Sequence, residues 1–170
     1  MIKRIRRIVL SVAILLAFVA GCGCGKEETE KNVISITGGE VKQGEEITVY
    51  LHATDEIPVS AYGINVYYNP DELTFKECGL APEYEEVWHG LEVSNDTAGE
   101  EGKNSVIFAG VNTSSGEGRY QGNLYYIIYT ATGESGTKAE LTLDITTLED
   151  LDGNDYLEEY TLKNGTITIK

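Results

Sequence analysis

In Ala61-Tyr62-Gly63-Ile64-Asn65-Val66-Tyr67-Tyr68-Asn69-Pro70, the bulky apolar side chains Tyr62, Ile64, Val66 and Tyr68 fall on every second position. Ala61, Gly63, Asn65 and Tyr67 stand between them. Side chains of a strand alternate between its two faces, so this is a β-strand with one face in a core and the other turned outward. Its end is marked by Asn69-Pro70-Asp71-Glu72, because proline has no amide hydrogen for a ladder and Asn and Asp favour turns.

Outward from this strand the same period recurs. Glu46–Thr54 sets Ile47, Val49, Leu51 and Ala53 against Thr48, Tyr50, His52 and Thr54. Val33–Thr37, Ser60–Tyr68, Leu73–Glu77, Asn104–Asn112, Asn123–Thr132, Ala139–Thr147, Tyr156–Leu162 and Thr166–Ile169 bring the count to nine strands. Asn164-Gly165 reads as a tight hairpin turn in which glycine supplies a positive φ. Gly79 to Lys103, with Pro82, Trp88 and His89, reads as a long irregular connection. The pattern predicts an all-β fold, a nine-stranded jelly-roll-like β-sandwich over residues 32–170.

The first residues follow another logic. Met1-Ile2-Lys3-Arg4-Ile5-Arg6-Arg7 is basic, Ile8 to Ala20 is apolar, and Val19-Ala20-Gly21-Cys22 follows. The apolar run is short for a membrane span and has the form of a secretory signal. Its end looks like the lipobox of a bacterial lipoprotein, which implies cleavage after Gly21 and acylation of Cys22. An ordinary cleaved signal, leaving a secreted domain, is the alternative. Cys24 fits a lipobox less well, because Gly21 and Cys22 would stand where it needs aliphatic and small residues. The expected organisation is a signal peptide over 1–21, a lipidated tether over 22–31 and one domain over 32–170. The expected location is the extracytoplasmic face of the cell membrane, and the polar tether, ten residues long, reaches at most about 35 Å.

Charge narrows the partners. Four of the 13 basic residues precede Cys22 and all 28 acidic ones follow it, leaving nine positive against 28 negative charges, or −19. Nucleic acid is excluded as a partner, since phosphate binding needs clustered Lys and Arg. The three cysteines make no disulfide framework. Cys78 is read as free and largely buried; a bond to Cys24 would require the tether to fold back.

Catalytic chemistry finds no constellation, and neither a cofactor nor a metal is expected. His52 and His89 lie in no nucleophile motif and no metal-ligand spacing. Glu83-Tyr84-Glu85-Glu86 reads as a solvated loop rather than half of a glycosidase pair. Asp150-Leu151-Asp152-Gly153-Asn154-Asp155 has its glycine too early for an EF-hand, and Thr161 stands where the twelfth-position Glu should be. A polar connection between strands is the simpler reading.

Four landmarks, in order, resemble a cohesin, the β-sandwich module that holds dockerin-bearing enzymes in cellulosome-type assemblies. They are Gly44-Glu45-Glu46-Ile47-Thr48-Val49, the Ala61–Pro70 stretch with Leu73, Gly122-Asn123-Leu124-Tyr125-Tyr126-Ile127-Ile128-Tyr129, and Asn164-Gly165-Thr166-Ile167-Thr168-Ile169. Cellulose-binding carbohydrate modules share part of this pattern. The resemblance implies a non-catalytic module that binds a dockerin, calcium-loaded on the partner's side, and supports polysaccharide degradation. Direct glycan binding and a general envelope adhesin are the alternatives. It further implies a flat docking face on the strands matching Ser60–Tyr68, Asn104–Asn112 and Asn123–Thr132. Taken outward along these, the expected contact residues are Ala61, Gly63, Asn65, Tyr67, Phe108, Gly110, Asn112, Thr113 and Tyr126. Many cohesins carry polar residues where this chain has Ala61 and Gly63, so the expected face is more apolar, with Tyr67, Phe108 and Tyr126 as anchors.

Overall fold

The alternation of Ala61–Tyr68 is realised as an eight-residue strand whose even-numbered residues are all buried. The computed structural model describes residues 32–84, 92–96, 102–111 and 118–170. Eleven strands run through them: β1 (Asn32–Ile36), β2 (Gly39–Val41), β3 (Glu46–Val59), β4 (Ala61–Tyr68), β5 (Leu73–Leu80), β6 (Glu92–Asp96), β7 (Asn104–Val111), β8 (Gly118–Ala131), β9 (Lys138–Glu149), β10 (Tyr160–Lys163) and β11 (Gly165–Ile169). They form a five-stranded sheet, β10-β1-β3-β8-β5, and a six-stranded sheet, β2-β11-β9-β4-β7-β6. The inward rows of both sheets make one apolar core, which is the all-β sandwich the periodicity predicts.

Two strands exceed the nine expected, and both are sheet edges. β2 has three residues and pairs in parallel with β11. β6 lies in the stretch read as irregular; its sequence, Glu-Val-Ser-Asn-Asp, has a single apolar residue, and its register comes from the backbone of β7. Edge strands need little apolar patterning because only one side is paired.

The end of the chain corrects the hairpin expectation. β10 and β11 flank Asn164 but belong to different sheets, so the chain crosses the sandwich there. Asn164 Oδ1 accepts the Leu143 amide at 3.0 Å. Gly165 is not among the positive-φ glycines; a Cβ on it would lie 2.7 Å from the Thr37 carbonyl oxygen and 2.8 Å from that of Ile36. Closeness to the end of β1, rather than turn geometry, demands glycine here. The strand expected from Tyr156 also starts later, since Leu157–Glu159 form a 3-10 turn before β10.

Aromatic side chains fill much of the core. Phe108 stacks on Tyr125 at 4.4 Å between ring centroids, and Tyr68 meets Tyr129 at 5.0 Å. Burial pushes the hydroxyls of Tyr62, Tyr125 and Tyr129 upward and that of Tyr120 to about 12. All four stay neutral at physiological pH.

Candidate partner-binding face

β4 lies between β7 and β9, and register builds the outer face of the six-stranded sheet in rows. Val111, Ala61 and Glu149 are opposite one another, then Ala109, Gly63 and Thr147, then Ile107, Asn65 and Asp144, then Ser105, Tyr67 and Thr142. These side chains turn away from the core because the alternate residues, Tyr62, Ile64, Val66 and Tyr68, are buried in it. Rows two residues apart and strands just under 5 Å apart give a strip of about 20 by 10 Å. That is the footprint of an α-helix about three to four turns long.

A bulge shapes the middle of the strip. Between the Gly63–Thr147 and Ile64–Ile145 pairs, β9 holds one extra residue, Thr146. Its hydroxyl donates to the Gly63 carbonyl at 3.2 Å. A Cβ on Gly63 would lie 2.6 Å from Thr146 Oγ1, so the bulge occupies the place a side chain would take. Bulges re-aim side chains in this way. One row further, Asn65 Nδ2 donates to Asp144 Oδ2 at 3.4 Å. Val111 is 58% exposed and Leu151 47%, the exposed large hydrophobic residues among the described ones, and both stand at the Ala61 end of the sheet.

The expected contact residues separate into three groups. Ala61, Gly63, Asn65 and Tyr67 lie together on this face, half-buried along β4. Asn112, Thr113 and Cys22 lie outside the described residues, as do Trp88 and His89.

Phe108, Gly110 and Tyr126 are corrections. Phe108 is fully buried, because it pairs with Ile64 and opposing residues share a face. Gly110 pairs with Tyr62 on the core side, where a Cβ would stand 2.3 Å from the Tyr62 hydroxyl. The run Val106-Ile107-Phe108-Ala109-Gly110-Val111 is apolar throughout, so its own sequence does not reveal which alternate set points inward. Tyr126 belongs to β8 in the other sheet, opposite Tyr50 and Gly79, with its hydroxyl donating to Glu77 at 2.9 Å. It therefore lies on the outer surface of the five-stranded sheet, away from Asn65 and Tyr67.

Sequence reasoning missed Ile107, Ala109 and Val111 on β7 and all of the β9 contribution. For β9 a signal existed: Leu141, Leu143 and Ile145 alternate with Thr142, Asp144 and Thr146. What it lacked was the knowledge that β9 lies beside β4.

Elsewhere the titratable groups serve structure. His52 Nδ1 lies 3.0 Å from Asn123 Oδ1 across β3 and β8. Burial, with the nearby Glu77 charge, pushes the free Cys78 thiol up to about 12, so it is not a ready nucleophile. The Asp150 carboxylate accepts from the Asn154 side chain and amide, the Tyr156 hydroxyl and the Asp152 amide. The Asn154 bonds lead in holding it near 2. That loop spends its donors on its own closure. Among the described residues, no group of three or more His, Cys, Asp or Glu is placed to hold a metal ion.

The family model of the Cohesin domain matches residues 33–169, and the chain belongs to that family. No curated protein matches its sequence. The fold is similar to that of the cohesin in a type I cohesin–dockerin complex from Clostridium thermocellum, with TM-score 0.66 and 13% identity over 83% of this chain and 100% of that one. The sixth cohesin of scaffoldin B from Acetivibrio cellulolyticus, solved with a Cel5 dockerin, gives 0.65 and 17% identity over 82% and 99% of the two chains. A non-cellulosomal cohesin from the archaeon Archaeoglobus fulgidus gives 0.55 and 22% over 82% and 91%.

Proposed function

We propose that this cohesin is a non-catalytic, lipid-anchored module that holds a dockerin-bearing protein at the extracytoplasmic face of a bacterial membrane. In that place it supports polysaccharide degradation by keeping the enzymes of its partner close to the cell. The observation that carries the reading is the strip on β7, β4 and β9, sized for a helix, with the small residues Ala61 and Gly63 at one end and Asn65 and Tyr67 at the other. Similar cohesins solved together with dockerins support it. The anchor rests on the signal-like start and on Cys22, since two or more acyl chains hold a protein stably while one does not.

The test is a pull-down from the secreted proteome of the source organism, using the full chain in detergent, first with calcium and then with chelator. A dockerin-bearing protein recovered only with calcium is the expected result. Retention of an insoluble polysaccharide with no dockerin recovered would overturn the reading in favour of a carbohydrate-binding module. For the anchor, Cys22→Ser should release the protein from membrane fractions while Cys24→Ser should not.

A further inference from the structure

The outer surface of the five-stranded sheet carries an aromatic platform near its centre. Tyr50 on β3 is opposite Tyr126 on β8, and both turn outward and are half-buried, while Val49, Leu51, Tyr125 and Ile127 beside them are buried in the core. Tyr126 is in turn opposite Gly79 on β5. A Cβ on Gly79 would lie 3.0 Å from both the ring and the hydroxyl of Tyr126, so the ring reclines across β5 and glycine leaves the room for it. The Tyr126 hydroxyl donates to Glu77 Oε1 at 2.9 Å, which pins the ring in that pose. One face of the ring is therefore spent on the sheet, and the other is held toward solvent. From Tyr50 to Gly79 the platform crosses two strand spacings, about 10 Å. Polar groups border it on both sides: His52 and Asn123, bonded to each other, on one, and Thr48 and Glu77 on the other.

We infer that this platform is a second binding site, for a neutral glycan chain of sugar rings with equatorial hydroxyls, such as a β-linked glucose or xylose chain. A ring of that kind has a flat face of C–H bonds and a rim of hydroxyls. The face packs on the negative face of an aromatic ring, and the rim needs hydrogen-bond partners at the edges, which the Asn123 amide and the Glu77 carboxylate supply. Two linked sugars match the span from Tyr50 to Gly79. Because Glu77 already fixes the Tyr126 ring, little ordering is left to be done on binding. A protein body pressed on this face would have to break the Tyr126–Glu77 and His52–Asn123 bonds, whereas a sugar laid on the ring faces leaves both in place. Charge selects within the class: the chain carries 28 acidic against 13 basic residues and has Glu77 at the platform's border, so acidic sugars are repelled. The site does not depend on the dockerin reading, and it lies on the opposite side of the sandwich from the β7–β4–β9 strip, so both can be filled at once.

The experiment titrates the full chain in detergent, by calorimetry, with cellohexaose, xylohexaose and a galacturonate oligomer of the same length. At least one of the two neutral oligomers binds, and the galacturonate oligomer binds about tenfold or more weakly. Tyr50→Ala and Tyr126→Ala each weaken neutral-glycan binding about tenfold or more, with thermal melting as a check on folding. Tyr126→Phe, which keeps the ring, still binds, and Tyr67→Ala on the other face leaves the affinity unchanged. Saturation with the dockerin recovered in the pull-down leaves it unchanged too. If neither neutral oligomer binds, if the galacturonate oligomer binds equally well, or if binding survives both Tyr50→Ala and Tyr126→Ala, the inference fails and the dockerin reading is untouched. If neutral glycan binds through Tyr50 and Tyr126 but no dockerin is recovered, the inference stands and the dockerin reading fails.

Discussion

The outer faces of the two sheets use their side chains in opposite ways. On the five-stranded sheet they engage one another: His52 meets Asn123, Tyr126 donates to Glu77, and Lys76 pairs with Glu46. Tyr126 also lies over Gly79, where a Cβ would be 3.0 Å from its ring and hydroxyl. On the six-stranded sheet, Ala61, Gly63, Ala109 and Val111 carry no polar side-chain group, and the described side-chain bonds lie at the β4–β9 seam and, at the far edge, between Lys170 and Glu40. A face whose polar side chains already pair with each other would have to lose those bonds to accept a partner. One whose Ala61 end is small and apolar offers area there at little cost in bonds or in side-chain entropy. The difference supports the six-stranded face as the proposed place for a protein partner.

The largest test of this contrast is at Phe108, which the register puts in the core beneath both faces. Phe108→Ala should lower stability by about 3–5 kcal/mol in denaturant unfolding. A stable variant that merely loses its partner would mean that β7 is turned over. Next comes Tyr67, on the open face: Tyr67→Ala should weaken dockerin binding by about 2 kcal/mol in calorimetry while Tyr126→Ala leaves it unchanged. Equal losses at both positions would break the distinction between the faces.

Smaller effects sharpen the picture of the self-engaged side. Tyr126→Phe removes one exposed hydrogen bond to Glu77 and should cost about 0.5–1 kcal/mol of stability, with binding intact. The smallest effect lies in the loop after β9. The Asp150 carboxyl is held near 2 against an ordinary 3.8, so its contribution is complete above pH about 4 and is lost as pH falls through about 2. Thermal melting of Asp150→Asn should therefore differ from that of the unaltered chain at neutral pH and converge with it at the acid end. Curves that stay parallel down to pH about 2 would mean that the loop bonds contribute nothing.

How much was legible varies from strand to strand. In β4, bulky apolar side chains stand at every second position and only Tyr67 is bulky between them, so both its core row and its outward row could be read directly. In β7 every residue from Val106 to Val111 is apolar or glycine, so its two rows look alike and only the pairing of Phe108 with Ile64 separates them. At Asn164-Gly165 the sequence carries a hairpin signal, yet contact with the end of β1 is what selects the glycine. In β8, Leu124 to Tyr129 is apolar throughout and Leu124 and Tyr125 are both buried, yet Tyr126 does point outward as expected. The sheet it points out from is the one that sequence reasoning assigned wrongly.

By itself, then, the amino-acid order determined that this protein is all-β and which residues of β4 enter its core. Burial drives those outcomes, and its period is written locally along each strand. Only the tertiary structure decided which strands are neighbours, which sheet carries β8, and which row of β7 turns outward. Pairing joins residues far apart in the chain, Ala61 with Val111 and Glu149 among them. Local alternation carries no record of which strand will be alongside, and the proposed binding face exists only once β7, β4 and β9 have met.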